Sequence, residues 1–192
     1  MREKKEKKKW GTIMFLIFIM VGLTSSFVFF GFSPTSNKVK YNDLTFRTNG
    51  NVWVAQINGV NAAFSFLPTD VEGIFAFDDF SSLLQNKFEI DATYDFNSSF
   101  REPIALAHYQ MGLTLNSYNI FLRQGFTANN TFNMPIITCD DATSNVPVVY
   151  FKYGNTTNIH LEGSCVIAEA STNADFIRLK DRLLYGILGV IK

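Results

Sequence analysis

Residues 41–67, YNDLTFRTNGNVWVAQINGVNAAFSFL, decide how the folded part of the chain begins. Two Asn-Gly pairs, at 49–50 and 58–59, divide this stretch into three short runs rich in apolar residues. Asn and Gly tolerate the positive φ angles that a two-residue hairpin turn requires. We therefore predict a three-stranded β-meander at the start of an α+β, or α/β, domain with a mixed sheet.

The next part of the chain alternates between helix and strand patterns. Two short helical turns, a strand, a longer helix and a second strand are expected in this order: 69–74, 79–86, 88–96, 98–117 and 119–126. The longer helix would start at a cap supplied by Ser98 or Ser99. Strand, helix and strand together predict a β-α-β unit with parallel strands.

The last third of the chain predicts three strands and a final helix, at 134–139, 146–153, 158–170 and 175–191. Thr172 or Asn173 would cap the helix. One apolar stripe runs along it: Phe176, Leu179, Leu183, Ile187 and Val190. A charged group marks its polar side: Arg178, Lys180, Asp181 and Arg182. We expect the helix to pack on the sheet, with the membrane surface as the alternative.

The beginning of the chain does not fit a globular fold. Residues 1–9 carry six Lys/Arg and two Glu, and the 23 residues of 10–32 carry no charge. About 20 apolar residues cross a bilayer as one helix, and basic flanks stay in the cytoplasm. We predict a single-pass anchor in the cell membrane with a cytoplasmic N-terminus, a spacer at 33–41 and an extracytoplasmic domain at 42–192. A signal peptide cleaved after Thr24-Ser25-Ser26 is the alternative.

Cys139 and Cys165 are the only cysteines. If the chain turns in simple register at 154–157, Cys165 faces Val146, and Cys139 lies seven residues before Val146. This spacing brings the sulfurs within disulfide range, and an exterior location favours oxidation. A redox pair normally needs Cys-x-x-Cys, and zinc needs about four ligands, so a structural disulfide is the favoured interpretation.

Three tripeptides fit the N-glycosylation pattern, at Asn97, Asn129 and Asn155. Each falls where turn-forming residues predict a surface loop. After the first 32 residues the chain holds 11 Lys/Arg and 15 Asp/Glu, so its outer domain is mildly acidic. Nucleic acid is therefore not an expected partner, because its binding needs a basic face.

Candidate catalytic groups are few. No nucleophile elbow, Walker or dinucleotide-binding motif is present. The alternative to a binding protein is an envelope enzyme, either a thiol-redox enzyme using Cys139 and Cys165 or a hydrolase using Asp140, Asp141 or His160. Adjacent acids such as Asp140-Asp141 are more often caps and solvated turns, so no catalytic, cofactor or metal site is expected.

Phenylalanine is frequent, with 20 residues, of which eight lie between 64 and 100. Some must form the core, and a surplus on the surface would mark a patch that contacts a partner or a membrane.

The closing runs IITCDDAT, VPVVYFKYGN, LEGSC and DFIRLKDRLLYGILG resemble those of uncharacterised single-anchor membrane proteins of small archaea, over residues 134–191. The resemblance implies an archaeal envelope setting and no residue roles. The anchor, the glycosylation motifs and the lack of a catalytic set favour a non-enzymatic binding or scaffolding component, whose partner is another envelope protein or a surface component. An adhesion or secretion subunit would differ in its assembly alone.

Overall fold

The computed structural model describes residues 37–48, 50–77 and 79–191, so the predicted tail and anchor lie outside the described residues. Within this range the chain has an α+β fold with two sheets and four α-helices. The strands are β1 (Lys38–Tyr41), β2 (Leu44–Thr48), β3 (Trp53–Ile57), β4 (Val60–Phe64), β5 (Phe75–Ala76), β6 (Glu89–Tyr94), β7 (Phe121–Phe126), β8 (Val148–Tyr153), β9 (Asn158–Glu162) and β10 (Cys165–Ala170). The helices are α1 (Pro68–Val71), α2 (Phe80–Leu84), α3 (Arg101–Ser117) and α4 (Asn173–Ile187).

The meander forms a sheet of its own rather than part of the mixed sheet. Its order is β1-β2-β3-β4, and all of its pairs are antiparallel. Asn58 and Gly59 have φ angles of 51° and 83°, which confirms the predicted hairpin turn between β3 and β4. The meander has one strand more than expected, because β1 occupies residues that we had assigned to the spacer.

The second sheet is mixed, in the order β5-β9-β10-β8-β6-β7. Strands β10, β8, β6 and β7 are parallel to one another, β9 is antiparallel to β10, and β5 is parallel to β9. The predicted β-α-β unit is confirmed as β6, α3 and β7.

The prediction of one long strand at 158–170, paired antiparallel with 146–153, is wrong. Gly163 has a φ of 62°, and the turn there divides the stretch into the hairpin β9–β10. Strand β10 lies between β9 and β8 and is parallel to β8. Gly163-Ser164 is a pair typical of two-residue hairpin turns, so the sequence carried a signal for this division that the prediction of one continuous strand overlooked.

The strand predicted at 134–139 is reduced to a single bridge between Ile136 and Phe126. Pro135 has no N–H to donate, and only its carbonyl bonds the sheet, accepting from the Phe126 N–H at 3.0 Å. The chain then forms a short 3₁₀ turn at Cys139–Asp141.

Helices α3 and α4 lie between the two sheets. Helix α4 packs on β10, and its Tyr185 ring stacks on Phe64 of β4 at 4.2 Å. Helix α3 packs on β6 and β7, and the Tyr118 hydroxyl that follows it donates to the Ile57 carbonyl of β3 at 3.1 Å. The result is three layers around one main apolar core.

Three of the four charged residues expected on the polar side of α4 are buried, which corrects the sequence prediction, and only Arg178 among the four keeps a partly exposed side chain. Lys180, Asp181 and Arg182 are only 1%, 0% and 4% accessible to solvent. The Asp181 carboxylate accepts hydrogen bonds from the Ser65 and Phe66 amides, each at 2.9 Å, and from Lys180 Nζ. Burial raises the pKa of Asp181, while Lys180 and the two amides oppose that shift.

Asp181→Ala should destabilise the fold strongly. It would leave the Lys180 ammonium buried without its carboxylate and remove the acceptor of two amides, at a cost of about 3–5 kcal/mol. Urea unfolding of the full-length protein measures the effect. The control is Asp140→Ala on the exposed 3₁₀ turn, and equal losses in the two variants would contradict the assigned role.

His108 of α3 is fully buried among aromatic rings, including Tyr94 at 5.2 Å and Phe151 at 4.9 Å. Neither ring nitrogen has a hydrogen-bond partner among the described residues. Burial alone lowers the pKa of His108 from 6.5 to about 3, so the imidazole is neutral in the folded protein.

Stability should therefore fall as the pH drops below 6.5. In the unfolded chain His108 takes up a proton below pH 6.5, whereas in the folded protein it stays neutral down to about pH 3. The free energy of unfolding therefore falls by about 1.4 kcal/mol per pH unit between these two values. His108→Leu should flatten the dependence between pH 6.5 and 5, as measured by urea unfolding. His160→Leu, at a partly exposed site, is the control, and an unchanged slope in His108→Leu would overturn the explanation.

Candidate functional site

An open groove lies where the parallel strands β6 and β7 end. Tyr94 is the last residue of β6 and Phe126 is the last residue of β7, and both line the groove. It has a volume of about 530 Å³. Crevices outside the carboxyl ends of parallel strands are the usual ligand sites of α/β sheets.

Four aromatic rings form the walls, and we call the site the aromatic groove: Tyr94, Phe96, Phe126 and Phe132. The Phe126 ring centre is 5.1 Å from Tyr94, 5.5 Å from Phe96 and 6.0 Å from Phe132. Phe126 is 9% exposed, whereas Phe132 is 66% exposed, so the groove opens to solvent on the Phe132 side.

Asn130 holds the turn that carries Phe132. Its Oδ1 accepts the Phe132 and Met134 amides at 3.0 and 3.2 Å, and its Nδ2 donates to the Met134 carbonyl at 3.0 Å. An asparagine side chain that bonds nearby backbone groups in this way fixes a turn without regular secondary structure. Phe132 is thereby positioned on a segment that belongs to no strand or helix.

The segment after this turn lies on the sheet face opposite the helices. The Ile137 N–H donates to the Phe126 carbonyl at 2.9 Å, and the Ile137 carbonyl accepts the Thr93 hydroxyl at 2.7 Å. Gly125 makes the approach possible, because a Cβ at this position would lie 2.7 Å from the Ile137 side chain and the Pro135 carbonyl oxygen. A side chain here would push the segment off the sheet.

The disulfide expected between Cys139 and Cys165 is present, with 5.2 Å between the Cα atoms. It joins the segment to β10, beside a small second core of Ile137, Val148 and Ile167. The pairing was correct but the register behind it was not, since Cys165 faces Val148 of a parallel strand rather than Val146. The sulfurs are bonded to each other and face the small core, so they hold the loop in place.

The remaining candidate catalytic groups do not converge. Asp141 accepts the Thr138 N–H at 2.8 Å and the Thr138 hydroxyl at 2.9 Å, and these bonds lower its pKa. His160 of β9 contacts Asn158, Glu162 and the Phe77 ring rather than either aspartate. Among the described residues, no three His, Cys, Asp or Glu side chains are grouped as metal ligands.

The asparagines of the three glycosylation motifs, Asn97, Asn129 and Asn155, are all exposed and lie in loops. Asn97 is at the edge of the aromatic groove. Within the described part of the chain, no helix has both the length and the apolar character needed to span a bilayer.

Arg101, the first residue of α3, supplies positive charge to the aromatic groove. Its guanidinium makes no ion pair with any described residue. Burial raises the pKa of Tyr94, so its phenol stays neutral, with Arg101 acting in the opposite direction. The groove therefore offers apolar walls beside a free cation, a combination suited to binding rather than to proton transfer.

No family model matches the chain, and in comparisons with curated proteins and with solved structures no significant match was found. The interpretation of the aromatic groove therefore rests on its own geometry.

Sequence reasoning did not find the groove residues. Their signal was the surplus of phenylalanine, and five Phe side chains of the described region are indeed at least 60% exposed: Phe75, Phe77, Phe88, Phe121 and Phe132. The sequence could not select Phe132 among them, since the groove joins residues that lie far apart in the chain.

Replacing both Cys139 and Cys165 by Ser should lower stability by about 3.5 kcal/mol, given a separation of 26 residues. It should also expose residues 127–147 to proteolysis, because the tie to β10 is lost. Unfolding and limited proteolysis are compared with and without reductant. The wild type should respond to reductant and the double variant should not; a wild type indifferent to reduction would refute the role.

Proposed function

We propose that this chain is a non-enzymatic binding protein of the cell envelope. Residues 10–32 anchor it in the membrane with the N-terminus in the cytoplasm, and the domain outside takes an apolar segment of a partner protein into the aromatic groove. The uncharged run of 23 residues supports the anchor, and the resemblance to archaeal single-anchor proteins agrees with it.

One observation carries the binding role: four aromatic rings converge on an open groove that has an unpaired guanidinium at its side. Aromatic and Arg side chains dominate the energetic centres of protein interfaces, because they bury large areas with few rotatable bonds. A folded domain that leaves such a cluster of aromatic rings open to water forgoes the free energy that their burial against a partner would supply.

The charge of the groove indicates the chemistry of the partner. No acid among the described residues forms an ion pair with Arg101, so an incoming carboxylate would pair with it at the rim. We therefore infer that the bound segment carries an aromatic or branched aliphatic side chain next to Asp or Glu.

Selection of peptides from a random library on the full-length protein in nanodiscs tests this proposal. Enriched peptides should place Phe, Leu or Ile beside Asp or Glu. Phe132→Ala should weaken their binding by about tenfold or more, and Arg101→Gln should remove the preference for acidic neighbours.

The matched control is Phe88→Ala. Phe88 is 89% exposed but precedes β6, at the end of the strand opposite the groove. Its removal should leave peptide binding unchanged. The proposal fails if no peptides are enriched, or if Phe88→Ala weakens binding as much as Phe132→Ala does.

A further inference from the structure

The outer face of the meander differs from the rest of the domain in charge. Directly opposed residues of an antiparallel sheet share a face, and Lys38 is opposite Arg47, which is opposite Val54. Phe46 and Phe64 point the other way into the core. We call the exposed side the meander outer face: Lys38, Lys40, Thr45, Arg47, Val54, Gln56 and Asn61.

This face carries three cations and no carboxylate on its strands. Lys38, Lys40 and Arg47 are exposed, and none of them makes an ion pair with a described residue. Asp43, in the turn between β1 and β2, is the acid beside the face. The face is therefore basic on a domain whose overall charge is mildly acidic.

The positions of the cations are unfavourable for the isolated sheet. Lys38 and Arg47 are direct cross-strand partners, and like charges in that position repel. Two cations side by side with no acid between them attract an anion. Thr45, Gln56 and Asn61 line a depression of about 480 Å³ beside Arg47 and add polar groups that can bond phosphate oxygens.

The chain before the meander indicates where such anions would come from. The uncharged run ends at Phe32, and only residues 33–36 separate it from Asn37, whose carbonyl accepts the Thr48 N–H at 3.2 Å. Fully extended, the five-residue step from Phe32 to Asn37 spans at most about 17 Å. If residues 10–32 form the anchor, the meander is held close to the membrane surface.

We propose that the meander outer face lies on the phosphate headgroups of anionic lipids in the membrane that anchors the chain. This inference rests on the anchor of the proposed function but not on the aromatic groove. Lipid phosphates would neutralise Lys38, Lys40 and Arg47, and their field acts within about 10 Å of the surface. The contact would fix the orientation of the domain above the bilayer.

The test uses the full-length protein in nanodiscs with a photo-crosslinking residue at Gln56. The nanodiscs hold phosphatidylcholine alone or with about one-third phosphatidylglycerol, and lipid adducts are measured by mass spectrometry. The adduct at Gln56 should increase about fivefold or more with the anionic lipid. It should decrease when Lys38, Lys40 and Arg47 are all replaced by Gln, or in about 0.5 M salt.

The matched control places the crosslinker at Glu162. This exposed residue of β9 is on the mixed sheet, on the face away from Ile159 and the core, so it should give no lipid adduct. The triple Gln variant should unfold at the same midpoint as the wild type or at a higher one, because it removes repulsion between exposed side chains. Equal adducts at the two positions, or an adduct at Gln56 that ignores lipid charge, would refute the inference.

Extraction of membranes with alkaline carbonate separates the two proposals. A chain released by carbonate is not anchored, and both the anchor and this inference then fail. A chain that stays in the membrane without a Gln56 adduct keeps its anchor and refutes this inference alone.

Discussion

The buried carboxylate of Asp181 is the contact on which the arrangement of the two sheets depends. It lies on α4 in the middle layer, and it accepts both amides of Ser65 and Phe66 where the chain leaves the meander. A buried charge without partners costs several kcal/mol, so any sliding of the meander on α4 would be penalised at once. Tyr185 strengthens the same joint, since its hydroxyl donates to the Phe66 carbonyl at 2.7 Å.

The aromatic groove is continuous with the core that Asp181 helps to organise. The Tyr94 ring contacts buried His108 on one side and Phe126 of the groove on the other. The Tyr94 and Phe126 rings are therefore held by the strands of the core. Phe96 lies in the turn after β6, and the Phe132 wall is built on a loop. That loop is held by Asn130 and by the disulfide, so little conformational entropy is left to lose on binding.

The face of the mixed sheet opposite the helices is covered by the loop segment around Ile137 rather than by a helix. The segment around Ile137 covers β6, β7 and β8 with few residues, because Gly125 lets it approach the backbone. Farther along the same face, Lys152 and Glu169 form an ion pair at 3.0 Å, and a polar surface takes the place of a core. A disulfide here fastens a short cover that has too little apolar area to hold by packing alone.

By itself the sequence determined the features that depend on neighbouring residues. Asn58-Gly59 predicted a hairpin turn, and the β6–α3–β7 unit followed from alternating periods. Thr172 or Asn173 was predicted to cap α4, and Thr172 is the residue that does so. The disulfide between the two cysteines was also predicted correctly, although from an antiparallel strand register that the structure does not have. These signals are local, because turn and cap chemistry acts over two to four residues.

Only the tertiary structure decided what lies next to each element. It placed β10 beside β8, gave α4 a second sheet against its charged side, and gathered Tyr94, Phe126 and Phe132 into one groove. A sequence pattern records which side of a helix is apolar, but not whether another layer will cover the other side. Burial of Lys180 and Asp181 became possible because the amides after β4 supplied hydrogen bonds that the pattern of residues does not contain.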